Sequence, residues 1–223
     1  MIIAQKIIHL IHWIFNPDLI IVVGENRKLA KEAIFSVLKK IKPAKKSKTD
    51  INKSIFSFLF CFGKKILIGE YATDVSGESK NLLEFIQPRI VVVADSQNED
   101  IKEKSRLAEN LSTSDFIIVN FDDQEAMAIK EKTRAKIITF GFGNEENEGK
   151  PDLKIMNFEE KQENGKISGI VLKLEYGGSF VPITIDKVSG KNYAYAAAVG
   201  VILGIMYDLN LVEAAEQIDG AFV

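Results

Sequence analysis

The stretch Leu19-Ile20-Ile21-Val22-Val23-Gly24-Glu25-Asn26-Arg27-Lys28-Leu29-Ala30 decides the fold class. Five aliphatic residues in a row, four of them β-branched, read as a strand buried on both faces. Gly24 ends it. Helical periodicity then runs over residues 28–41, with Ala30, Ala33, Ile34, Val37 and Leu38 on the inward side. Strand, glycine turn and helix are the opening of a doubly wound α/β fold.

Outward from that unit the alternation repeats. Residues 54–62, 65–69, 90–94, 116–119 and 136–140 read as strands, and 79–86, 99–111 and 123–131 as helices. Such βα alternation predicts a mostly parallel sheet with right-handed crossovers. Past residues 143–146 the pattern changes to consecutive strands at 152–158, 168–175 and 180–185. Their connections, Glu163-Asn164-Gly165 and Tyr176-Gly177-Gly178-Ser179, carry hairpin chemistry, so a small antiparallel sheet is expected near the C-terminal end. Helices follow at 190–209 and 212–218. The small residues Ala194, Ala196, Ala197, Ala198, Gly200 and Gly204 predict that the first of these packs closely on the sheet. The expected organisation is an N-terminal helix at 1–16 and one domain at 17–223. Within that domain the parallel core takes 17–142, the antiparallel sheet 150–187 and the last helices 190–219.

A chain of 223 residues can bury one substantial core. Its formal net charge of −2 gives no global attraction to nucleic acid, and none is expected as a partner. The lone cysteine, Cys61, lies in an apolar run, which excludes an internal disulfide and points to a reduced, cytoplasmic setting. Residues 2–15 are apolar at helical spacing but too short to span a bilayer. An amphipathic helix is expected there, packed on the domain, a partner or a second copy rather than on a membrane surface. His9 and His12 share one side of it without the carboxylates or cysteines that a metal site needs. Residues 39–48 hold six lysines around Pro43, and they read as a solvated loop because no aromatic residues interleave.

The residues that could carry chemistry come in an ordered set. "VVGENRKLAKEAIFSVL" resembles the nucleotide-loop signature of the Mur ligase family, most closely the branch that adds D-alanyl-D-alanine. Further on, "LIGEYATDVSGE" resembles the family's metal-binding segment, with Glu70, Tyr71, Asp74, Gly77 and Glu78 in step. "LLEFIQPRIVVV", "EKSRLAENLSTSDFIIVNFDD" and "GKNYAYAAAVGVILGI" are similar to three later family segments, in the family's order. The resemblance covers nearly everything from Pro17 onward, without the domains that flank this one in the family.

By that resemblance Gly24, Asn26, Lys28, Asn120 and Asp123 would hold ATP, Glu70 would hold Mg²⁺, and Lys104 would match a lysine that is carbamylated in many members. The implied chemistry is ATP-dependent amide-bond formation in peptidoglycan synthesis for the cell wall. Plainer readings stand beside these. Glu70 also suits a solvated strand-end carboxylate, Lys104 an exposed lysine on a charged helix, and Asp123 a helix N-cap.

The sequence also departs from the family. A phosphate loop needs a second glycine and a hydroxyl, but Arg27 and Leu29 stand in their places. Ala72, Ser76, Ala94, Asn192 and Ala196 replace other family residues. The expectation is therefore a catalytically degenerate domain that acts as a binding or interaction module. The alternatives are a divergent active ligase, or a doubly wound domain for another nucleotide.

Overall fold

The computed structural model describes residues 17–48, 65–72, 88–95, 101–143, 149–218 and 220–222. The helix expected at 2–15, the strand at 54–62 with Cys61, and the helix at 79–86 lie outside them, as do Asp74, Gly77 and Glu78.

The chain runs β1 (Asp18–Val23), α1 (Arg27–Leu38), β2 (Ala44–Lys46), β3 (Ile66–Glu70), β4 (Ile90–Val93), α2 (Ile101–Glu109) and β5 (Phe116–Asn120). It continues through α3 (Gln124–Ala128), β6 (Lys136–Gly141), β7 (Leu153–Glu163), β8 (Lys166–Tyr176), β9 (Ser179–Asp186), α4 (Lys191–Met206) and α5 (Leu211–Glu216). Among the described residues the strands form one sheet in the order β2-β3-β1-β4-β5-β6-β7-β8-β9. Pairing is parallel from β2 through β7, and β8 and β9 add antiparallel. The expected antiparallel strands are thus present, and they extend the parallel sheet through the β6–β7 pair.

Strand periodicity divides β1 between two cores. Ile20 and Val22 face one side with Ile34, Ile118, Leu172 and Ala197. Leu19, Ile21 and Val23 face the other with Val91, Leu107 and Ile117. Burial on both faces is why β1 reads as an unbroken aliphatic run. In β9 only Val181, Ile183 and Ile185 point inward, while Phe180, Pro182 and Thr184 are exposed. This one-faced alternation is what an antiparallel extension with one solvated side requires. Both hairpin connections place two successive residues at positive φ: Asn164 (52°) with Gly165 (73°), and Gly177 (56°) with Gly178 (80°). These are the residue types that a type I′ turn demands.

Three local expectations change. The lysine-rich segment at 39–48 contains a strand, β2, paired in parallel with β3. An edge position tolerates lysines, and Lys46 pairs with Glu32 and lies 4.8 Å from the centre of the Phe35 ring. Helix α1 stops at Leu38, where the N–H groups of Lys40, Ile41 and Lys42 turn back onto Val37 and Leu38 ahead of Pro43. The helix expected at 123–131 divides into α3 and a 3₁₀ turn, Ile129–Lys132. No helix among the described residues is long and apolar enough to cross a membrane.

Candidate functional site

The glycine loop after β1 is closed by a carboxylate of the chain itself. Gly24 has φ +112° and lies so near Asp95 that a Cβ would stand 2.8 Å from its carbonyl oxygen and 2.9 Å from its nitrogen. Only glycine fits there. The next two backbone N–H groups, of Glu25 and Asn26, donate to the Asp95 carboxylate at 2.7 and 2.9 Å. The Asn26 side-chain amide adds a third donation at 2.8 Å. Asn26 is the N-cap of α1 but makes no side-chain cap bond, because its amide is drawn onto Asp95 instead. Asp95 follows the end of β4, the neighbour of β1 in the sheet, and is 7% exposed. From behind, the fully buried Lys104 of α2 donates to the Asp95 carbonyl at 2.8 Å.

Arg27 does not fill the loop. Its guanidinium reaches back and donates to the Gly24 carbonyl at 2.8 Å. Lys28 is exposed and is not among the residues that line the cleft described below.

Glu70, at the end of β3, is 3% exposed. The buried ammonium of Lys31 stands 3.4 Å from its Oε1 and also donates to the Ser47 carbonyl at 2.9 Å. Among the described residues, Glu70 Oε2 has no hydrogen-bond partner. The Mg²⁺ implied by the resemblance does not fit this arrangement. A lysine already neutralises the carboxylate, and its positive charge repels a divalent ion at the same place. Among the described residues, no three His, Cys, Asp or Glu side chains converge as a metal would require.

On the far side of the loop, buried Asn120 donates to the Ala94 carbonyl at 3.3 Å and accepts from the Asp122 N–H at 3.0 Å. Asp123 caps α3 by accepting from the Ala126 N–H at 3.0 Å. The Asp122 carboxylate gathers the N–H groups of Phe142 (2.6 Å) and Gly143 (2.8 Å) and the Tyr195 hydroxyl (3.0 Å). Burial, then the Asp122 charge, holds the Tyr195 phenol well above its ordinary range, so it remains a donor at any physiological pH. Asp122 thereby ties the end of β6 to α4. Asp122→Ala is expected to cost about 2–3 kcal/mol in urea unfolding, since it strands two amides and a phenol. An unchanged unfolding midpoint would show that the tie carries no stability.

These pieces border a cleft of about 500 Å³ at the C-terminal ends of β1, β4, β5 and β6, where open α/β sheets hold their ligands. Its apolar lining includes Ala30, Phe140, Ala196 and Val199, and its carboxylates are Glu25, Asp95, Asp122 and Asp123. None of the described lining residues is a lysine or an arginine.

This architecture has solved counterparts. The chain is similar to the UDP-N-acetylmuramoylalanyl-D-glutamyl-2,6-diaminopimelate–D-alanyl-D-alanyl ligase of Acinetobacter baumannii, with a TM-score of 0.75. Identity is 14%, over 91% of this chain and 46% of that one. The fold is that of the Mur ligases.

The MurF ligase of Thermotoga maritima, solved in complex with ADP, gives a TM-score of 0.74 at 14% identity, covering 95% of this chain and 51% of that one. A pseudomurein peptide ligase type C from Methanothermus fervidus gives 0.64 at 12% identity, covering 92% and 49%. The chain spans about half the length of these Mur-ligase-fold structures. No protein-family model and no curated protein matches it.

Within the Mur ligase fold, Asn26, Asn120 and Asp123 line one cleft, Gly24 lies behind that lining against the Asp95 backbone, and Lys104 contacts the cleft through Asp95. Glu70 is set apart on Lys31, and Lys28 faces solvent. The reading of Lys104 as an exposed helical lysine does not hold, because α2 buries it against the β4 end. Asp95, Lys31, Asp122 and Tyr195 were not expected. A signal for Asp95 existed: an acidic residue directly after a buried strand, next in the sheet to the glycine strand, is placed at the loop.

Proposed function

We propose that this chain is a Mur-ligase-fold module that no longer carries out ATP-dependent amide ligation and acts by binding. The observation that carries the reading is the Asp95 carboxylate on the loop amides, where a phosphate would have to sit. Ligation of this kind starts with phosphoryl transfer to a carboxylate, which depends on positioning and on neutralising the phosphate charges. Here the cation expected for that task, Lys28, points to solvent, and the described cleft lining offers carboxylates instead. Loss of one preorganised donor alone lowers turnover about 10²–10³-fold. A loop already occupied by Asp95, the missing hydroxyl and the missing metal site together leave no route to useful turnover. The proposal includes a cytoplasmic protein partner or a second copy of the chain, engaged through residues 2–15.

A second reading, a divergent active ligase of peptidoglycan precursors, is favoured by one finding: the similar Thermotoga maritima structure was solved with ADP. Calorimetric titration with ATP and Mg²⁺ separates the two. The binding-module reading expects no saturable heat with millimolar nucleotide. Tight ATP binding that disappears in Lys28→Ala would overturn it.

A further inference from the structure

We propose that the loop from Gly24 to Asn26 is an oxyanion site that the protein keeps closed with its own Asp95 carboxylate, an autoinhibitory contact built into the fold. The inference rests on the reading above, that the unmodified protein takes up no nucleotide, and it names the group responsible.

Three donors, two of them successive backbone N–H groups, converge on one carboxylate at 2.7–2.9 Å. Backbone N–H groups in a turn that leads into a helix are what a phosphate or carboxylate meets at an anion site. Helix α1 runs twelve residues and has no acidic residue in its first turn. The charge that its N-terminus favours is therefore supplied by Asp95, 69 and 70 positions away in sequence from the amides it accepts.

The competitor is held firmly. Ala94 donates to the Val23 carbonyl at 3.1 Å, which pins the β4 end beside the loop, and Lys104 fixes the Asp95 carbonyl. A tethered group prepositioned in this way acts at high effective concentration against a free anion. Its charge also repels any anion that approaches while it is seated. Gly24 completes the arrangement, because no side chain fits between the loop and the Asp95 backbone.

The test follows the backbone amides of Glu25 and Asn26 by nuclear magnetic resonance during titration with inorganic phosphate, with ADP and acetate as separate arms. In the unmodified protein both amides are expected to ignore phosphate. In Asp95→Ala they should shift saturably, with binding tightened about tenfold or more once the like charge is gone. Asp95→Asn, nearly equal in volume, removes the charge and carries the test should the alanine variant fail to fold. Response to phosphate and ADP but not acetate marks a phosphate site; response to all three marks a general oxyanion site. Both outcomes support the proposal. Folded Asp95→Ala and Asp95→Asn proteins that remain blind to phosphate overturn it and leave the functional reading standing. ATP binding by the unmodified protein, without shifts at Glu25 and Asn26, overturns the functional reading and not the location of the closed site.

Discussion

Replacing Lys31 by methionine is expected to destabilise the protein by about 3–5 kcal/mol, and removing the Glu70 charge in the same molecule to restore most of the loss. Both side chains are buried, at 6% and 4% exposure, so water cannot take over when one partner is removed. Lys31→Met leaves a carboxylate without its cation, whose Oε2 already has no hydrogen-bond partner among the described residues, and it also takes a donor from the Ser47 carbonyl. The double variant Lys31→Met/Glu70→Leu takes both charges out together and leaves an apolar pair of similar volume, an exchange that is often neutral. Urea unfolding of the parent, both single variants and the double variant closes the cycle. Strict additivity, or a loss below about 1 kcal/mol for Lys31→Met, would mean that the pair is solvated and weak. The same cycle bears on the metal question, since a Glu70 that needs Lys31 for stability is not a carboxylate held ready for Mg²⁺.

The second large effect is expected at Gly200. Helix α4 crosses α1 there, beside Ile218 just past the end of α5, and a Cβ would stand 2.8 Å from Ile218 Cδ1, 3.1 Å from Ala33 Cβ and 3.2 Å from the Ala33 carbonyl carbon. The Ile218 end can rotate away, but the Ala33 backbone cannot. Gly200→Leu should therefore cost about 3 kcal/mol or more through overpacking. For a chain of this size that lowers the melting temperature by roughly 6–12 °C. Gly200→Ala should lie much nearer the parent, because the helix gains about 1 kcal/mol from losing a glycine while the added methyl presses on Ala33. A leucine variant that melts like the parent would show that α1 and α4 are not packed as closely as described.

Both effects arise where distant segments meet, which separates what the sequence carries from what it does not. The turn after β1 was legible because a buried parallel strand, a positive-φ glycine and an amphipathic helix are local patterns. The two hairpins were legible for the same reason: Asn164-Gly165 and Gly177-Gly178 are the residues that tolerate positive φ at both central positions. Strand β2 was not. Ala44–Lys46 has no strand-like composition, and only the β3 edge beside it, more than twenty residues on, makes it one.

The site divides along the same line. The family resemblance grouped Gly24, Asn26, Lys28, Asn120 and Asp123, and the fold brings all but Lys28 to the same end of the sheet, because in a doubly wound fold the turns after parallel strands share that end. It also located the erosion, at Arg27 and Leu29. Which charges meet was decided by tertiary structure. Lys28 was expected at the ligand, yet it faces solvent, and Lys31, one turn further along α1, is turned inward to Glu70. Arg27, which stands where the family has a glycine, braces the Gly24 carbonyl, and the group on the loop amides is Asp95. No local pattern encodes a contact across about seventy residues; it exists because β1 and β4 are neighbours and their ends are brought together. The sequence by itself determined the glycine loop and the strand that presents it, through periodicity and backbone conformation. Its present occupant was set only when the sheet assembled, because whether a charge pairs or opposes depends on distance in space rather than along the chain.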